Sequence, residues 1–215
     1  MAKIKKGILG PISGTLGPVI GAEWMGVAYL RMKRRKEINS ERTVAQLNNQ
    51  AKFKYVNDWL IPFHPYFSVG MLYAGTYKTP VGNALKANYK TVFSGKWPDI
   101  EVDCSKLVIS KGDLAPLGNP VIVWDGPDSL QLTWQRNEVG GAAFNDQLIL
   151  ALYNEGQHLV DGFVGGAVRV AQGCRFSPQV SMKGQPMHVY VGVVSLDRSK
   201  ISHSQYLGVL NPFQP

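Results

Sequence analysis

The side chains in this 215-residue chain best able to hold a transition metal or attack a carbonyl are four histidines and two cysteines. They are His64, His158, His188 and His203, with Cys104 and Cys174. No His-x-x-x-His pair occurs, and the one Glu-x-x-His spacing, Glu155-Gly-Gln-His158, carries a glycine that suits a turn rather than the helix on which such a pair would share a face. Neither cysteine has a histidine or a second cysteine at short spacing, and two cysteines do not build a disulfide scaffold. Each reads as a small core hydrophobe. His64 sits among aromatics beside Pro65, the setting of a packed histidine. His203 lies between Ser202 and Ser204 with no acid partner marked in sequence, although triads assemble across distance and leave no local trace. There is no Gly-x-Ser-x-Gly elbow. The glycines at 7, 10, 14, 17 and 21 lack the following Gly-Lys-Ser/Thr of a phosphate loop, and Pro11 stands where such a loop needs an amide donor. Asp99, Glu101 and Asp103 alternate along one strand face. That spacing can hold calcium weakly, but its ordinary use is a solvent-facing edge. The expectation is therefore no catalytic residue, no metal, no cofactor and no small-molecule substrate: not an enzyme.

Charge is the next signal. The formal net charge is +8, and it is unevenly placed. Residues 1–60 hold 11 Lys/Arg against 4 Asp/Glu, and residues 61–215 hold 12 against 11. Lys33-Arg34-Arg35-Lys36, with Arg31, forms a basic patch. Its partner is either a polyanion or acidic groups on another copy; the ordinary use of such a run is a solvated face.

The patch closes a stretch that is too rich in glycine and proline for a helix and too apolar for a solvated tail. Leu9-Gly10-Pro11-Ile12 returns seven residues later as Leu16-Gly17-Pro18-Val19. A glycine before a proline signals a turn or extended chain. The segment is expected to run as irregular extended chain that buries Ile8, Leu9, Ile12, Leu16, Val19, Ile20 and Trp24 on its own body, on a neighbouring copy, or on both. Gly26 suits a tight turn between two short strands. After it Val27, Tyr29 and Arg31 share one face and Ala28, Leu30 and Met32 the other, so this strand is expected to be covered on both sides. Lys3, Lys5 and Lys6 before Ile8–Ile20 imitate a secretory leader, but glycines and prolines break the apolar run, and no cleaved signal is expected. No window reaches the roughly 18 apolar residues of a membrane span.

Two helices follow. Thr43-Val-Ala-Gln46 fits a capping box, and Val44, Leu47, Ala51, Tyr55 and Trp59 fall on one face. Pro62 is expected to stop this helix. Residues 63–78 are aromatic and broken by Gly70 and Gly75. Thr79-Pro80 opens the second helix as N-cap and first position, which is expected to end near Gly95.

From Trp97 onward alternation replaces helical spacing. Strands are expected at Lys106–Ser110, Val121–Trp124, Leu130–Gln135, Gln147–Tyr153, His158–Phe163, Ala167–Ala171, His188–Ser195 and Gln205–Leu210. Turn signals separate them, including Asp125-Gly126-Pro127-Asp128 and Gly165-Gly166. Short strands at this spacing indicate an antiparallel sandwich. Leu130, Leu132 and Trp134 point inward together. On the following long strand the inward row is either Val189, Val191 and Val193, or Tyr190, Gly192 and Val194.

The order SLQLTWQ, DQLILALYN, HVYVGVVSLD and SQYLGVL resembles a fibronectin type III or immunoglobulin-like module, with Trp134 as its buried strand tryptophan. The inter-sheet disulfide of antibody domains is absent. Over nearly its full length the chain also resembles an uncharacterised bacterial family, a domain of unknown function. Its members combine a Gly-rich basic start, a Trp-x-Gly hairpin and an Asn-x-Arg-Thr helix entry. Here those are Trp24-Met25-Gly26 and Asn39-Ser40-Glu41-Arg42-Thr43. Met25, where lysine is usual, and the extra residue before Arg42 depart from the pattern. The resemblance implies a fold and no activity.

The expected fold is mainly β (α+β). Residues 1–99 hold the arm, a hairpin and two helices, and residues 100–215 hold the sandwich. The expected function is structural: a self-assembling subunit of an extracellular or surface filament, linked to other copies through the arm. The alternatives are a virion coat or tail component of phage type, a polyanion-binding module, and a carbohydrate-binding module using Trp97 or Trp124.

Overall fold

The computed structural model describes residues 3–4, 10–24, 26–33, 41–74, 79–137, 139 and 141–213. The chain forms two compact units, Met1–Thr43 and Val44–Pro215. The boundary expected at 99/100 thus falls at 43/44, because the helices share a core with the C-terminal strands.

The first unit is an antiparallel sheet of β1 (Lys3–Ile4), β2 (Ile12–Leu16), β3 (Val19–Trp24) and β4 (Val27–Met32), in sequence order. The hairpin at Gly26 is present: Trp24 faces Val27, and Gly26 takes φ 78°. Of the arm expected to be irregular, Lys3–Ile4, Ile12–Leu16 and Val19–Trp24 are instead strands of a sheet. Leu16 pairs with Val19 across Gly17-Pro18, and Gly17 takes φ 57°. A two-residue hairpin turn of this kind wants glycine first, and proline's fixed φ of about −65° suits the second place, where no ladder donor is needed. No hydrophobic side chain of this unit is buried among the described residues. Strand β4, expected to be covered on both sides, is exposed at all six positions. Strand side chains are buried only where a second layer lies against their face, and neither hydrophobic core among the described residues includes this sheet.

The second unit begins with α1 (Val44–Leu60), a 3-10 turn (Ile61–Phe63), α2 (His64–Gly70) and α3 (Pro80–Asn88). The strands are β5 (Phe93–Lys96), β6 (Asp99–Val102), β7 (Gly118–Trp124), β8 (Leu130–Gln135), β9 (Gln147–Asn154), β10 (Leu159–Val168), β11 (Gly173–Phe176), β12 (Met187–Val194) and β13 (Gln205–Leu210). They make a four-stranded sheet β10-β9-β12-β13, a three-stranded sheet β11-β8-β7 and the hairpin β5-β6. The two larger sheets pack as an antiparallel sandwich, and the helices form a third layer on the outer face of the four-stranded sheet.

Strands β9 and β12 are therefore covered on both sides. Leu148, Leu150, Leu152, Val189, Val191 and Val193 meet Leu130, Leu132 and Trp134 of β8. Ile149, Ala151, Tyr153, Tyr190 and Val194 meet the helical layer, including Trp59, Phe63 and Phe67. Both candidate rows of β12 point into a core, one into each. A strand buried on both faces carries a continuous apolar run, as QLILALY and VYVGVV do. Each large side chain so buried contributes about 1.5–3 kcal/mol. One end of the sandwich is closed by a buried ion pair, Arg169 Nε to Asp146 Oδ2 at 3.0 Å. The same guanidinium donates to the carbonyls of Ala115 (2.6 Å) and Pro116 (3.2 Å) and to Asn137 Oδ1. Trp134 Nε1 donates to the Arg169 carbonyl at 2.7 Å, so the core tryptophan and the ion pair hold each other in place.

Several local expectations are corrected. In α1 the buried residues are Val56, Trp59 and Leu60, while Val44 and Leu47 of the expected face are 73% and 48% exposed. Only the C-terminal half of the helix reaches the core. Pro62 does not stop the helical path. It sits in the first turn of the 3-10 segment, where its missing donor costs no bond. Pro65 does the same for α2, a helix whose aromatic residues Tyr66 and Phe67 are buried. Thr79 caps α3 as expected, accepting from Gly82 N at 3.1 Å, but α3 ends at Asn88 and Gly95 lies in β5. Residues 106–110 are not a strand. Their backbone is held by side chains: Asn88 Oδ1 accepts from Val108 N at 2.9 Å, Asn88 Nδ2 donates to the Val108 carbonyl at 3.0 Å, and Ile109 N donates to Ser204 Oγ at 3.1 Å. Gly165-Gly166 is an irregularity within β10 rather than a turn. Residues 169–171 then form a 3-10 turn, and β11 is a strand the alternation did not reveal.

Candidate functional site

The end of the four-stranded sheet is where chemistry-bearing side chains meet. Three segments converge there: the 3-10 turn Cys104–Lys106 after β6, the turn after β9, and the start of β12. They bring together Cys104, Glu155 and His188, whose ligand-capable atoms all lie within 4.8 Å of one another.

Each segment is fixed locally. Asp103 caps the cysteine turn, accepting from Ser105 N at 3.1 Å. Tyr190 Oη donates to the Cys104 carbonyl at 2.6 Å. The Glu155 turn is shaped by Asn154, which accepts from Gln157 N (2.8 Å) and donates to the Pro186 carbonyl (2.9 Å). His188 faces Tyr153 across the β9–β12 pair, and its Nδ1 lies 2.8 Å from Tyr206 Oη at the start of β13. Its Nε2 lies 3.8 Å from Glu155 Oε2.

Burial decides the protonation states. Removal from water pushes the Cys104 thiol up to about 12, with Glu155 and Asp103 adding to the effect. At neutral pH it is a thiol and a poor nucleophile. Burial also holds His188 below the ordinary histidine range against the opposing pull of Glu155. Its contact with Glu155 is therefore not an ion pair near neutrality. The Tyr206 hydroxyl can donate or accept, so it fits either tautomer of the neutral ring. Asp103 is the opposite case: the Lys106 ammonium at 2.8 Å and the Ser105 hydroxyl pull its carboxyl down to about 2.

A cleft of about 450 Å³ opens over this group, and Glu101, Asp103, Cys104, Glu155, His188 and Tyr206 are among its walls. A second, of about 510 Å³, adjoins it through Val102 and Glu155 and is lined by Tyr55, Trp59, Tyr153 and His158. Tyr153 Oη lies 3.0 Å from His158 Nδ1 there. Burial lowers His158 and raises Tyr153.

Sequence spacing missed this group because its members are scattered over three segments. Ser202 and Ser204, flanking the exposed His203, are engaged structurally: Ser202 Oγ accepts from Val193 N at 2.8 Å, and Ser204 Oγ from Ile109 N. Asp99 and Glu101 lie exposed on β6, on an edge as expected. Cys104 is buried and Cys174 half-buried, both free thiols. Trp124 is tied down, its Nε1 donating to the Asn211 carbonyl at 2.7 Å, while Trp97 is 39% exposed beside Tyr55.

The expected assembly residues lie on the N-terminal sheet. Ile12, Val19 and Ile20 are half-buried, whereas Leu16 and Trp24 are 59% and 48% exposed. Ile8 and Leu9 lie outside the described residues. In the basic patch Arg31 and Lys33 are exposed; Arg34, Arg35 and Lys36 lie outside the described residues.

Sheets, cores and cleft together define a β-sandwich protein with a helical outer layer and a separate N-terminal sheet. A model described as "Family of unknown function (DUF6266)" matches residues 11–208, and the chain belongs to that family. No curated protein matches it. Among solved structures it is similar to the fn3 domain of human collagen alpha-1(XX) chain, at 15% identity over 49% of this chain and 91% of that one, with a TM-score of 0.35. It is also similar to a myokine structure, at 13% identity over 47% of this chain and 98% of that one, again with a TM-score of 0.35. The sandwich assignment rests on the sheets described above. No helix among the described residues is long and apolar enough to cross a membrane.

Proposed function

We propose that the chain is a structural, self-assembling subunit of a surface or extracellular filament, and that copies are joined through the N-terminal sheet. The observation that carries this reading is the state of β4. Val27, Tyr29, Leu30 and Met32 are each 45–69% exposed. The strand is also the edge of its sheet, so one row of its backbone donors and acceptors is unpaired within that sheet. A sheet that is apolar on both faces and open at its edge is a template for another chain. The occupant is a second copy of this chain, which adds a strand or covers a face. Charge favours that choice: the basic excess is concentrated in the first 60 residues, and the remaining chain supplies 11 carboxylates. A contact of this kind between unlike surfaces propagates as a filament when its rotation does not close a ring. The test is molar mass across a range of concentrations, followed by negative-stain imaging. Mass that grows with concentration and ends in regular fibres supports the reading; a monomer at every concentration overturns it.

A further inference from the structure

We infer that Cys104, Glu155 and His188 form a binding site for a divalent transition metal, zinc above all, with a coordination position left open to the cleft. This goes beyond the assembly reading and does not depend on it. One sulfur, one imidazole and one carboxylate form a donor set for zinc. The same set is wrong for magnesium or calcium, which take oxygen ligands. The three ligand atoms already lie within 4.8 Å of one another. Zinc bonds of about 2.0–2.3 Å need them slightly closer together. The Glu155 side chain, 68% exposed, has the freedom to close that gap.

The surroundings suit a cation. His188 Nδ1 is engaged by Tyr206 Oη at 2.8 Å. When Nδ1–H donates to that hydroxyl, Nε2 presents its lone pair toward Glu155 and Cys104. Metal-binding histidines are oriented by an outer partner in this way. Glu101, Asp103 and Lys106 line the same cleft; Lys106 offsets Asp103, so Glu101 and Glu155 leave the cleft net negative, which favours cation entry. On binding, zinc displaces the thiol proton of Cys104 to solvent, and the thiolate becomes the ligand. The fourth position faces the cleft and takes water.

The test uses the full chain with zinc and with cobalt as a spectroscopic stand-in. The expected result is one metal per chain and a near-ultraviolet thiolate-to-cobalt charge-transfer band. Cys104→Ser should abolish the band, whereas Cys174→Ser should leave it intact. Glu155→Gln changes only an exposed turn residue and so tests the site without disturbing the core; it should weaken zinc binding by about a hundredfold or more. Tyr206→Phe should weaken it by about tenfold to a hundredfold while keeping the band, as loss of an outer partner does. Failure of the wild-type chain to take up stoichiometric metal overturns the inference. So does uptake that Cys104→Ser and Glu155→Gln leave unchanged.

Discussion

The two units of this chain treat the same kind of residue in opposite ways. In the body, Val189, Val191 and Val193 of β12 are buried between sheets, and Tyr190 and Val194 on its other face are buried under helices. In the N-terminal sheet, β4 has an equally apolar sequence, VAYLRM, and every residue is exposed. Both are antiparallel strands, β12 paired with β9 and β13 and β4 paired with β3 alone. The difference is stacking. A strand gains from apolar side chains only when a second layer lies within contact distance of its face. The body supplies two such layers, and the N-terminal sheet supplies none of its own. The body thus holds both hydrophobic cores found among the described residues, and the apolar side chains of β4 belong to neither.

The sharpest way to break this comparison is to remove residues 1–43. The body should keep a cooperative thermal transition, and the assembled species should fall to monomer in sedimentation. If the shortened chain still assembles as the full chain does, the sheet is not the connector.

Next in size is the body's own core. Trp134 is 4% exposed and bonded to the Arg169 carbonyl. Trp134→Ala should cost about 3–5 kcal/mol in denaturant unfolding. A loss of under about 1 kcal/mol, the size of an ordinary surface change, would remove Trp134 from the sandwich core.

Helix α1 carries a smaller contrast within one element. Leu60→Ala should cost about 2–5 kcal/mol, because Leu60 is 1% exposed. Leu47→Ala should stay within about 0.5 kcal/mol, because Leu47 stands clear of the core. Equal losses at the two positions would mean that the whole helix is packed.

The smallest expected effect comes from charge. Reversing Arg34 and Arg35 to glutamate should weaken assembly most at low salt, where exposed charges are least screened. Retention on immobilised DNA, measured alongside, should change little. Lost DNA retention with intact assembly would turn the patch into a polyanion site, whose hallmark is steep salt dependence.

Much of the fold was legible because local physics dictated it. Leu130–Gln135 and Gln205–Leu210 were recovered to the residue. There alternation, β-propensity and flanking turn residues agree. Gly26 marked its hairpin because a two-residue turn needs positive φ, and Thr79-Pro80 marked the start of α3 through cap chemistry. These are short-range requirements, and a single sequence carries them.

What only the tertiary structure decided is where layers stack and which distant segments meet. The spacing of Val44, Leu47 and Trp59 defined a helical face, but only packing determined that its first half would stay exposed. The rows of β12 could not be ranked, because a third layer buries both. Gly17-Pro18 could be a turn or extended chain until the Leu16–Val19 pair formed. Cys104, Glu155 and His188 carry no shared spacing at all. They meet because β9 pairs with β12 and the Cys104 turn is pinned by Tyr190. Side-chain chemistry is written residue by residue, whereas proximity is a property of the folded sheet, set by the burial of apolar surface that none of the three residues supplies.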